Sequence, residues 1–227
     1  MLDWGHTGDL EIFILSKDEN QVGHAKWDQK RQTLTYPEKL LGLAKPLVMA
    51  AQPALSGTVP QTLVVLHEVE QGWAVSSIES DLEMKTQTFE GRLNGIPERL
   101  MAHDLDQDSL VDCILFTPYE PLICLRQTDD QSYELITLSP PGGSWQGGWA
   151  TAGDLDFDGF LDLIMPFKNM ARGFKMKSDL ASNVSDNAKD REWSLKVIEQ
   201  INGPSNTSHL ASAVVGENVF QNDPGVV

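Results

Sequence analysis

Met101-Ala-His-Asp-Leu-Asp-Gln-Asp-Ser-Leu-Val-Asp-Cys-Ile-Leu-Phe116 returns fifty residues later as Thr151-Ala-Gly-Asp-Leu-Asp-Phe-Asp-Gly-Phe-Leu-Asp-Leu-Ile-Met-Pro166. Ala102, Asp104, Leu105, Asp106, Asp108, Asp112 and Ile114 recur as Ala152, Asp154, Leu155, Asp156, Asp158, Asp162 and Ile164. Seven identities in sixteen positions, every acid among them, is well beyond chance for this composition. Self-similarity at a fixed period near 50 marks a repeat architecture and takes precedence over any local reading of helix or strand.

The phase extends outward from these two copies. A step of 153 residues back from Asp162 and Asp156 lands on Asp9 and Asp3, a candidate degenerate third site. A step of 102 lands on Gln52 to Pro60, which has no acids but is followed by the apolar strand Thr62-Leu-Val-Val-Leu66. Leu210 to Gly216 resembles the lead-in Trp149 to Gly153, and Glu217 to Asp223 reads as a decayed fifth loop.

Short strands separated by Pro, Asp and Ser turns fill the intervals. The second unit offers Pro46–Ala51, Thr62–Val69, Trp73–Ile78 and Lys85–Phe89; the third offers Arg99–His103, Val111–Phe116, Leu122–Arg126 and Tyr133–Leu138. In the fourth they are Trp149–Ala152, Leu161–Phe167, Phe174–Lys177 and Ser194–Glu199, with the polar stretch Ser178 to Arg191 expected to be a loose insertion or a short helix. Four strands per unit predict an all-β fold, a β-propeller-like array of about four four-stranded blades, incomplete or open. The whole chain, 1–227, reads as one such region, with approximate repeats 1–45, 46–97, 98–147 and 148–208 and the start of another at 209–227. A sandwich would not reproduce an acidic loop at a constant interval.

Within each strong loop the acids stand at relative positions 1, 3, 5 and 9. A chain that alternates its side chains and then turns sharply can bring four carboxylates and one backbone carbonyl around a single hard cation. Calcium, which takes six to eight oxygen ligands in flexible geometry, suits such a loop better than magnesium. Imidazole- and thiolate-preferring metals do not, because no His or Cys lies among the donors. The expected ligands are Asp154, Asp156, Asp158, Asp162 and the Phe160 carbonyl in one loop, and Asp104, Asp106, Asp108, Asp112 and the Leu110 carbonyl in the other. About two calcium ions are thus implied. Gly159 allows the turn without Cβ strain, and Ser109 replaces it in the earlier loop. An EF-hand fails on two counts: position 12 is Leu115 or Met165 rather than Glu, and the flanks are strand-like. Acidic runs more often form a solvated face, but four carboxylates within nine residues repel one another, and here they do so twice in register.

The full chain of 227 residues carries 17 Lys+Arg against 33 Asp+Glu, a formal charge of −16. Eight of those acids lie in the two loops. The acidic balance excludes a phosphate-backbone binder, so no nucleic-acid partner is expected. No apolar run approaches the length of a membrane span, and no signal peptide is visible at the start of the chain.

The pattern Asp-x-Asp-x-Asp-Gly-x-x-Asp before an apolar strand resembles the FG-GAP/VCBS repeats of integrin-alpha-like β-propellers. The match is specific in Asp154 to Asp162, good in Asp104 to Asp112, and poor in the first two units. In that family the calcium loop joins and stiffens the first two strands of a blade. The resemblance implies an extracellular, cell-surface or periplasmic protein, a role in adhesion or ligand binding, and no chemistry of its own. Family propellers usually have about seven blades, which implies that these four are a fragment of a longer propeller chain, an incomplete gene product, or an unusually small or open propeller.

The expected function is therefore a non-catalytic calcium-binding scaffold or interaction module with a protein or glycan ligand. The alternative is the carbohydrate-binding or accessory part of a secreted polysaccharide-active enzyme. Trp73, Trp145, Trp149 and Trp193 would line a glycan face under that alternative, although packing between blades is the simpler expectation. None of His6, His24, His67, His103 and His209 forms a metal or nucleophile motif. Pro140 to Gly148 reads as an inter-blade connection, and Asn183-Val-Ser185 and Asn206-Thr-Ser208 are glycosylation sequons. Cys113 and Cys124 fall on the two arms of one hairpin and are expected as two small buried hydrophobes, since opposed strand positions rarely have disulfide geometry.

Overall fold

The computed structural model describes residues 11–40, 42–51, 62–79, 82–106, 108, 110–128, 132–140, 150–156, 158, 161–167, 169–180 and 191–204. Four antiparallel sheets follow one another along the chain. The first contains β1 (Glu11–Ser16), β2 (Gln21–Asp28), β3 (Thr33–Leu34) and β4 (Glu38–Lys39), and the second β5 (Pro46–Ala51), β6 (Leu63–Val69), β7 (Gly72–Ile78) and β8 (Met84–Glu90). The third holds β9 (Arg99–His103), β10 (Asp112–Phe116), β11 (Leu122–Gln127) and β12 (Tyr133–Leu138). The fourth holds β13 (Thr151–Gly153), β14 (Asp162–Phe167), β15 (Met170–Leu180) and β16 (Arg191–Asn202). The last three sheets are plain four-strand meanders in chain order.

Inner strands such as β6 and β10 carry unbroken apolar runs because both of their faces are covered. Along β10, Cys113 and Leu115 pack toward the second sheet, while Ile114 and Phe116 pack toward the fourth. Along β6, Leu63 and Val65 face the first sheet and Val64 and Leu66 the third. Successive strand residues point to opposite faces, so a sheet sandwiched between two others needs an unbroken apolar run. Each of the three apolar clusters therefore joins one sheet to the next in sequence. Polar links reinforce the same contacts. The Gln87 amide donates to Tyr133 O at 2.8 Å and accepts from Tyr133 N at 2.5 Å, and the Arg99 guanidinium donates to Ala150 O.

Three sheets depart from regularity; in the second, the β5–β6 register shifts between Pro46 and Val48. In the first, β3 and β4 both pair with β2, so they form one outer strand interrupted around Pro37, which has no N–H to donate to the ladder. In the fourth, β15 runs through Leu180 and pairs with β16 down to Leu180 opposite Arg191. The polar stretch expected to begin a loose insertion or helix at Ser178 is strand at both of its ends; backbone pairing in an antiparallel ribbon is indifferent to Ser, Asp or Arg side chains. Residues 181–190 lie outside the described residues.

The thiols follow from the register. Ile114 is paired with Cys124 and Cys113 with Leu125, which puts the two sulfurs on opposite faces of the third sheet. Both are free and buried, as expected.

Candidate metal centres

The two acidic segments connect β9 to β10 and β13 to β14, the first two strands of the third and fourth sheets. They are folded by the same bonds. Asp104 Oδ1 accepts from Asp108 N at 3.1 Å, and Asp154 Oδ1 from Asp158 N at 3.1 Å. The last acid of each loop, the first residue of β10 or β14, reaches back across it: Asp112 Oδ2 accepts from Leu105 N at 3.0 Å and Asp162 Oδ2 from Leu155 N at 2.9 Å. Gly173, opposite Ile164 in β15, gives Leu155 its seat, since a Cβ there would lie 2.7 Å from Leu155 Cδ1.

Carboxylate oxygens of Asp104, Asp106 and Asp108 lie within 4.8 Å of one another, as do those of Asp154, Asp156 and Asp162. Asp112 and Asp158 stand outside these groupings. The Asp112 carboxylate is engaged by backbone on both oxygens, from Leu105 N and, at 2.9 Å, from Gln127 N. Asp158 is turned toward Lys175. Leu110 N donates to Asp108 Oδ1 at 2.8 Å. Phe160, Gly159 and Ser109 lie outside the described residues, as do Asp3 and Asp9, Gln52 to Pro60, the Gly-rich run from Gly142, Trp145, Trp149, both sequons and the fifth-loop segment.

Electrostatics favour a cation at both places. Burial pushes the Asp112 carboxyl up to about 8; backbone donors from Gln127 and Leu105 oppose the rise, and the charges of Asp106 and Asp108 add to it. Burial raises Asp108 and Asp162 as well, with neighbouring carboxylates contributing. Asp162 is fully buried, and its Oδ1 has no hydrogen-bond partner. A buried carboxylate oxygen left so costs about 1–3 kcal/mol or more. A divalent cation would satisfy it, and the donor set, all oxygen, suits a hard cation.

Two cations of the protein already answer part of this demand, and neither was visible from the loops alone. Arg126 Nε donates to Asp106 Oδ2 at 3.1 Å, with side chains 4% and 1% exposed. Lys175 Nζ donates to Asp156 Oδ2 at 2.9 Å and also to Asp158. The available signal was their separation of 49 residues, close to the period of the repeat.

Among the described residues His67, Trp73 and Trp193 are buried, whereas Trp27 is exposed. His67 Nε2 and Ser76 Oγ are 2.9 Å apart, and Ser76 Oγ continues to Thr86 Oγ1 at 2.7 Å. Ser76 is wholly buried, whereas Thr86 at the outer end of these hydrogen bonds is exposed. Burial, followed by the Arg99 charge, lowers the His103 pKa. Trp73 stacks on Phe89 with centroids 4.2 Å apart inside the second-to-third cluster, and Trp193 is buried in the third-to-fourth.

Residues 104–165 match the family model described as an FG-GAP-like repeat, a span that runs from the first acid of one loop to the strand after the other. No curated protein matches the chain. A crystal structure of a protein from Lactobacillus plantarum is similar at a TM-score of 0.50 and 13% identity, over 86% of this chain and 54% of that one. This chain thus spans about half the length of that propeller-like neighbour.

Proposed function

From a β-propeller-like array with an FG-GAP-like repeat across its third and fourth blades, we propose a non-catalytic, calcium-binding scaffold that serves as an interaction or adhesion module of an exported protein. The observation that carries this reading is the repetition, at fixed spacing and with matching hydrogen bonds, of a loop that converges three carboxylates. Asp154, Asp156 and Asp162 would hold one ion, and Asp104, Asp106 and Asp108 the other. The ion supplies positive charge where burial and mutual repulsion leave the carboxylates short of it.

The residues contribute by orienting. Asp112 and Asp162 tie their loops to the second strand of the blade, so filling the loop stiffens the β9–β10 and β13–β14 connections. Extracellular calcium modules bind at about 10⁻⁴ to 10⁻³ M, which only a calcium-rich compartment saturates, and this supports export. Among the described residues no helix is long and apolar enough to cross a membrane. The acidic surface fits a protein or glycan partner better than nucleic acid. At 100 times the dissociation constant, calcium adds about 2.7 kcal/mol of stability, or roughly 5–11 °C in melting temperature for a chain of this size. Thermal melts in EDTA and in millimolar CaCl2 measure it. A melting curve that calcium leaves unmoved would sink the metal reading.

A further inference from the structure

Arg126 and Lys175 occupy one position of the repeat. Lys175 is the register partner of Asp162, and the pairing of Cys113 with Leu125 places Arg126 opposite Asp112 in the same way. Each extends from the third strand of its sheet into the acidic loop of that sheet, onto the second acid, Asp106 or Asp156. The likeness ends at exposure. The Arg126 pair is sealed, at 4% and 1%. Lys175 is 21% exposed, and its partners Asp156 and Asp158 are 37% and 31% exposed.

These differences decide which cation can leave. A guanidinium is permanently charged and holds a carboxylate in a fixed fork, and breaking a buried pair strands its partner. An ammonium on a flexible four-carbon stem, in an exposed pair, is held weakly. Lys175 and a metal ion would claim the same Asp156 oxygens, and their charges repel. Asp162 Oδ1, buried and without a hydrogen-bond partner, remains for the metal and not for Lys175, which pairs with Asp156 and Asp158 instead.

We propose that Lys175 is a tethered cation that competes with divalent metal for the fourth-sheet loop, so that this site alternates between a lysine-closed and a metal-loaded form. The third-sheet loop, with Arg126 fixed on Asp106, has no such alternation. The inference rests on the calcium reading above. It makes the fourth loop the one whose calcium affinity is set by a displaceable internal cation.

The test is calorimetric titration of CaCl2 into the full chain and into Lys175→Met and Lys175→Arg, with circular dichroism to confirm folding. Lys175→Met is expected to tighten one class of site at least tenfold and leave the other within about twofold. Its melting point in EDTA falls, because the loop loses its internal cation. Lys175→Arg, which keeps the charge, binds calcium no more tightly than the parent. Superimposable titrations of the parent and Lys175→Met would overturn the competition while leaving the metal sites standing, as would tighter binding by Lys175→Arg. Absence of calcium binding in all three proteins would overturn the metal reading and the competition together.

Discussion

Replacing Arg126 by methionine tests the electrostatics of the third sheet most directly. Its guanidinium lies 3.1 Å from Asp106, and both side chains are almost entirely excluded from water. At an effective dielectric near 20, unit charges at about that separation attract by roughly 5 kcal/mol. Desolvation of the two ions offsets most of that gain, so the intact pair adds little relative to an apolar pair of similar volume. Loss of one partner is a different matter: the buried Asp106 carboxylate loses its guanidinium, at a cost of about 3–5 kcal/mol. For a chain of this size that lowers the melting temperature by roughly 6–20 °C. Urea and thermal unfolding should be run in EDTA, so that no divalent cation substitutes for the guanidinium. The double variant Asp106→Leu/Arg126→Met should recover most of the loss. A single-variant cost below about 1 kcal/mol, or a double variant as unstable as the two singles combined, would refute this account of the pair.

A pH prediction follows from His67. Burial lowers its pKa below the ordinary 6.5, against the opposing effect of backbone groups at Glu68 and Ala44. The folded protein thus resists a proton that the unfolded chain accepts. The contribution is fully present above pH 6.5 and is lost as pH falls from there through the folded-state value. His67→Asn should flatten the stability profile in that window, and an unchanged profile would refute the assignment. The thiols give a third prediction. Burial raises both, Cys124 up to about 12 and Cys113 further, so neither carries an accessible thiolate at pH 8. Iodoacetamide should alkylate neither in the folded protein and both in urea, counted by mass spectrometry; prompt labelling of folded protein would contradict the packing.

Much of the fold was legible because the acidic loop is a phase marker. Once Asp104 and Asp154 fixed the period, strands such as 46–51, 99–103 and 133–138 could be placed between turns, and the structure has them there. What escaped depends on pairing rather than composition. The polar strand ends near Leu180 and Arg191 follow from the ladder that pairs them. The interruption of β3 and β4 around Pro37 had no repeat copy against which to be noticed. In the loops, position along the chain gave four equivalent acids, but folding makes them unequal: backbone amides engage Asp112, and Lys175 draws Asp158 away. Arg126 and Lys175 were silent because they approach from a neighbouring strand, a relation that register creates.

Among the described residues each of the three apolar clusters joins one sheet to the next, which also sets how far a disturbance can travel. Such a stack is a short one-dimensional lattice, in which stability is close to a sum of unit terms and nearest-neighbour terms. Distance is then counted in sheets. The first sheet, with its broken outer strand, is the place for amide exchange to begin, while the second and third, each packed on both faces, exchange last. A ligand settling on the first sheet and a cation entering the loop after β13 would scarcely sense each other. The architecture is that of a rack that holds its surfaces in fixed relation, and it is poorly suited to act as a relay between them.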